Sequence, residues 1–103
     1  MQIFNGVVQC NLIGDDLLDR KMILKENIFS NVQKREESLN GITYYFKDDS
    51  NLLESLLEHV QIEKACCPFF KFDISILPFN KGFALKISGS KEAIEMIKNF
   101  ELK

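Results

Sequence analysis

Cys67-Pro68-Phe69-Phe70-Lys71-Phe72-Asp73-Ile74-Ser75-Ile76-Leu77-Pro78-Phe79-Asn80-Lys81-Gly82-Phe83-Ala84-Leu85-Lys86-Ile87 is the stretch on which the fold turns. Pro68 has no N–H and disfavours helical geometry in the residue before it, so a helix arriving here ends near Cys66 or Cys67. Beyond the proline, Phe70, Phe72, Ile74 and Ile76 share one strand face, and Phe69, Lys71, Asp73 and Ser75 share the other. Pro78 to Gly82 reads as a turn. Phe83, Leu85 and Ile87 return with the same period of two, which makes a β-hairpin.

Upstream of the proline, Leu52, Leu53, Leu56, Leu57 and Val60 lead into the cysteines at helical spacing, with Asp48, Asp49, Ser50 and Asn51 available as caps. Downstream, Ser88-Gly89-Ser90 hands over to a last helix carrying Ala93, Ile94, Ile97 and Phe100 on one side. Asn40-Gly41 marks a turn, and Ile42, Tyr44 and Phe46 alternate after it as a strand. Before that turn, Asp15 and Asp16 suit a helix start, and Leu17, Leu18, Leu24, Ile28, Phe29 and Val32 recur at roughly helical spacing. The charged run Gln33-Lys34-Arg35-Glu36-Glu37 reads as the solvated end of that helix. Over residues 2–12, Val8, Cys10 and Leu12 alternate as a half-buried first strand with Cys10 facing the core.

The expected order is therefore β-α-β-α-β-β-α. It describes a two-layer α+β fold, a single domain over residues 1–103, with a mixed sheet and a C-terminal β-hairpin and helix. A chain of 103 residues with 46% hydrophobic and 27% charged residues fits one compact globular domain and excludes a disordered or low-complexity chain. Nine Phe and no Trp predict a Phe-rich core.

The net charge of -2 and the scattered lysines argue against a nucleic-acid surface, so core packing is the better account of Tyr44 and Tyr45. No stretch is long enough to span a bilayer and the N-terminus has no secretory pattern, which places the protein in the cytoplasm with no membrane partner. In that compartment Cys10, Cys66 and Cys67 read as reduced thiols or ligands.

His59, Glu63, Cys66 and Cys67 stand along one stripe of a helix, at offsets of four, seven and eight residues. Imidazole nitrogen, carboxylate oxygen and thiolate sulfur suit Zn²⁺, and the two sulfurs suit softer ions such as Cu⁺ or Hg²⁺. Glu63 falls inside the apolar stripe, where a carboxylate needs a partner. His59 lies on the flank, where a solvent-facing role is expected. Two adjacent cysteines call for a further ligand from Cys10, His59, Glu63 or a second subunit. Free carbonyls at a helix C-terminus disfavour a thiolate and favour a bound cation. No Ser-His-Asp or paired-carboxylate arrangement stands out.

The segment Glu63 to Ile74, written Glu-x-x-Cys-Cys-Pro-Phe-Phe-x-Phe-x-Ile, resembles a motif in small, mostly uncharacterised bacterial proteins. Similar segments accompany MerR-type heavy-metal regulators. The similarity continues into Ile87-Ser88-Gly89 and the start of the last helix. It implies a thiol-based, metal-associated role for Glu63, Cys66 and Cys67, although this chain carries no recognisable DNA-binding helix-turn-helix.

Three readings follow. The first is a binder of a soft metal or metalloid, for sensing, sequestration or resistance, with Cys66 and Cys67 as sulfur donors, Glu63 as donor or orienter, and His59 or Cys10 completing the shell. The second is a thiol enzyme with Cys66 as nucleophile and Glu63 or His59 as proton acceptor. The third is a structural module that pairs with a second copy as a homodimer.

Overall fold

The structure is a computed structural model that describes residues 13–101; the strand expected over residues 2–12, and Cys10 with it, lies outside the described residues. Helix α1 (Asp15–Phe29) is followed by strands β1 (Lys34–Ser38) and β2 (Gly41–Phe46), then helix α2 (Ser50–Cys66) and strand β3 (Lys71–Ile76). A single 3-10 turn (Pro78–Asn80), strand β4 (Phe83–Ser88) and helix α3 (Lys91–Glu101) complete the order. The α+β class is as expected. The sheet order is β1-β2-β4-β3 and every described pairing is antiparallel, so a parallel pair would have to involve the segment before residue 13.

One expectation is overturned. Lys34 to Glu37 is not the solvated end of α1; these residues form β1, the edge strand paired to β2 with Arg35 opposite Tyr44 and Glu37 opposite Ile42. All five residues of β1 are exposed, so its strand state comes from the backbone ladder to β2 rather than from an apolar face. Helix α1 stops at Phe29 instead, and Val32 packs against the core from the connection.

The core lies between the sheet and the helices. Ile42, Tyr44 and Phe46 of β2 align with Ile87, Leu85 and Phe83 of β4, all six buried on one face. Leu24 and Ile28 of α1, Leu52, Leu56 and Ile62 of α2, and Ile94 and Ile97 of α3 join the same cluster. On β3, Phe72 and Ile74 pack against it, whereas Ile76 runs past the helices and is 67% exposed. The opposite face, carrying Thr43, Tyr45, Lys86, Asp73 and Ser75, is polar, which is the usual division of an antiparallel sheet covered on one side.

Local chemistry sets the boundaries. The Asp49 carboxylate accepts from the Leu52 N–H and Ser90 Oγ accepts from the Ala93 N–H, capping α2 and α3. At Gly82 the backbone has φ +104°, and a β-carbon would stand 2.0 Å from the Phe46 carbonyl oxygen. Only glycine lets the hairpin close this tightly against β2.

A vicinal-thiol site where helix α2 ends

Helix α2 ends where Pro68 requires it to. Cys66 is the last helical residue, and Cys67 leaves the helix at φ -128°, ψ 72° while its N–H still donates to the Glu63 carbonyl at 2.6 Å. The Phe70 N–H then donates to the Cys67 carbonyl at 3.3 Å, closing a turn with Pro68 second in it. This change of direction between two adjacent residues brings both side chains to the same side. Their sulfurs are 3.7 Å apart, both residues are buried, and neither is in a disulfide. Ordinary negative-φ backbone at Cys67 is enough to bring the two sulfurs together.

Lys21, on the facing side of α1, completes the site. Its Nζ donates to Glu63 Oε1 at 2.8 Å and to Cys66 Sγ at 3.4 Å. The Lys21 and Glu63 side chains are only 15% and 13% exposed. Burial opposes the Lys21 charge, but the hydrogen bond and charge of Glu63, with the two cysteines, outweigh it and raise the lysine above its ordinary value. Glu63 is therefore the partnered carboxylate that its place in an apolar stripe demands, and the partner comes from another helix.

His59 departs from expectation. It faces inward with 5% exposure, not outward to solvent. Burial pushes its pKa below the usual histidine value, so the ring is neutral at pH 7. Its Nε2 lies 3.7 Å from Glu63 Oε1, too far for a hydrogen bond, and neither ring nitrogen has a hydrogen-bond partner among the described residues. A cavity of about 60 Å³ opens beside it, bounded on its polar side by Lys21, Lys25, His59, Glu63 and Cys67 and on its apolar side mainly by phenylalanines.

The structure thus brings Glu63, Cys66, Cys67 and His59 to one end of α2, while Cys10 lies outside the described residues. Among the described residues no group of three or more His, Cys, Asp or Glu side chains is placed to hold a metal ion. The described chain offers two sulfurs and an ammonium group. Lys21 escaped the sequence reading because it is 45 residues from Cys66 in the chain. Its place on α1 among Leu17, Leu24 and Ile28 is the one local signal that could have marked it. Lys21 thus places a positive charge at a helix end whose free carbonyls carry negative potential.

Fold and site together define an α+β domain with a buried vicinal dithiol braced by a lysine–glutamate pair. No family model, curated protein or solved structure matches the chain. Among the described residues no helix is long and apolar enough to cross a membrane.

Proposed function

We propose that this domain captures a soft metal or metalloid through Cys66 and Cys67. The observation that carries the reading is the 3.7 Å separation of two adjacent sulfurs beside the Lys21 ammonium. Metal–sulfur bonds of about 2.3 Å at a tetrahedral angle span about 3.8 Å between sulfurs, so one ion can take both with little movement. Ordinary sulfur contact has a similar span, which is why the test must be chemical. Lys21 bridges Glu63 and Cys66 in the structure, and an incoming cation replaces the lysine at Cys66. The likeness of Glu63 to Ile74 to segments accompanying heavy-metal regulators supports the same role, and a reducing cytoplasm is the compartment that keeps both thiols available.

Titration of the reduced protein with Hg²⁺ under anaerobic conditions, followed by alkylation and peptide mass mapping, tests this. Stoichiometric protection of Cys66 and Cys67, lost in the Cys66→Ser/Cys67→Ser variant, is the expected result. Alkylation of both unchanged by the ion would sink the proposal.

Lys21 also favours a second reading, a nucleophilic Cys66, because its ammonium lies 3.4 Å from that sulfur. One thiol alkylated quickly at pH 7, then slowed in Lys21→Met, supports that reading; slow reaction of both in the folded protein counts against it.

A further inference from the structure

Resting on the dithiol reading above, we infer that the site is built for a trivalent metalloid hydroxide of the arsenous-acid class, bound by both sulfurs with its remaining hydroxyl directed into the His59 cavity. Three observations converge on it.

The first is the angle. With metal–sulfur bonds of about 2.3 Å, a linear two-coordinate ion needs sulfurs about 4.6 Å apart, whereas bent geometries from right-angled to tetrahedral need about 3.3 to 3.8 Å. The observed 3.7 Å lies in the bent range. A linear ion would have to turn at least one cysteine side chain away from its present position, whereas a bent one would not. A digonal ion is therefore the poorer fit.

The second is the number of donors. Two sulfurs alone leave a four-coordinate ion with two positions for other ligands or water. A trivalent metalloid takes two sulfurs and keeps an oxygen of its own. Condensation is balanced without an oxidant or reductant: two S–H bonds and two metalloid–OH bonds break, two metalloid–S bonds form, and two waters leave.

The third is the cavity. It adjoins Cys67 and Glu63, has room for a few water-sized groups, and contains a buried imidazole whose two nitrogens have no hydrogen-bond partner among the described residues. Leaving such a group unsatisfied is unfavourable, and a hydroxyl, which both donates and accepts, satisfies a neutral ring in either tautomer. The phenylalanine walls, with Phe29, Phe70, Phe72 and Phe100 among them, keep bulk water from the new bonds.

The experiment is a parallel titration of the reduced full chain with sodium arsenite and with Hg²⁺, read by intact mass and by the number of thiols lost. Arsenite is expected to bind one to one, consume two thiols, and fail to bind Cys66→Ser/Cys67→Ser. His59→Leu should weaken arsenite roughly tenfold, about 1.4 kcal/mol, and leave Hg²⁺ affinity unchanged. His59→Gln, which keeps polar atoms in the cavity, should recover part of the loss. Capture of Hg²⁺ at Cys66 and Cys67 without capture of arsenite would overturn the metalloid inference and leave the dithiol reading standing; capture of neither would remove both. Equal weakening of both probes by His59→Leu would overturn the role given to the cavity.

Discussion

At the scale of the residue, His59 is the most informative side chain in the molecule. A neutral imidazole buried without a hydrogen-bond partner among the described residues lowers stability, and a well-fitting apolar residue in its place removes that penalty. His59→Leu is therefore expected to stabilise the unliganded protein by about 1 kcal/mol. An upward shift of the urea midpoint at pH 7 with unchanged m-value is the measurement, and a downward shift would mean that the imidazole is satisfied in solution. Glu63 should behave in the opposite way. Glu63→Gln leaves the Lys21 charge half-buried beside a neutral amide and is expected to lower stability by roughly 1–3 kcal/mol, less than for a fully buried pair because some exposure remains. His59, Glu63, Cys66 and Cys67 were all legible as one stripe, because helical spacing is local information. Lys21 and the inward orientation of His59 were not, because both depend on how α1 and the β-sheet pack against α2.

Among the elements, β1 shows what patterning cannot reach. Lys34-Arg35-Glu36-Glu37-Ser38 has no apolar residue, so no period of two in hydrophobicity announces a strand. Its conformation is imposed by β2, and its charges suit an exposed edge that must not pair with another chain. The hairpin from β3 to β4 and the helix carrying the cysteines were legible for the converse reason: both carry their own apolar face. On the helix side of β1, Arg35 makes a two-point ion pair with Glu101 of α3, at 2.7 Å for each nitrogen, and Tyr44 Oη also donates to Glu101. Burial alone would raise the Glu101 carboxyl, but the bonds from Arg35 and Tyr44 outweigh it and hold the group below its ordinary value. A carboxyl depressed in the folded state adds stability that is present above its unfolded pKa of about 4.3 and is lost as pH falls through the folded value. Arg35→Met should therefore flatten the fall in melting temperature between pH 6 and pH 3, while lowering stability at pH 7 by about 1 kcal/mol. Parallel pH profiles for the two proteins would refute this role of the Arg35–Glu101 pair.

Across the whole molecule, α1 buries the smallest share of its residues among the described helices, and the site ties it to α2. Leu24 and Ile28 are its only buried residues, whereas Leu17, Leu18, Met22 and Ile23 are between 43% and 61% exposed. Its polar ties to α2 include Lys21 to Glu63 and Cys66 inside, and Arg20 to Glu58 at the surface. The surface pair contributes little because both side chains are well solvated. Local opening free energies follow such differences in burial, so the amides of α1 should exchange with deuterium well before those of β2 and β4. Capture of an ion at the cysteines has a consequence of opposite sign in different parts of the fold. Bound ligand stabilises the folded state as a whole, by about 2.7 kcal/mol at a hundred times its dissociation constant, and slows exchange at the end of α2 and the start of β3. Displacement of Lys21 from Cys66 at the same time removes a tie on α1. Hydrogen exchange of the Hg²⁺-loaded protein should therefore show added protection around Cys66 to Lys71 together with equal or faster exchange over Asp16 to Ile23. Glu63→Gln without ligand should reproduce only the second effect. Uniform slowing of α1 on loading would show that Lys21 remains in place and that the cation binds beside it instead of replacing it.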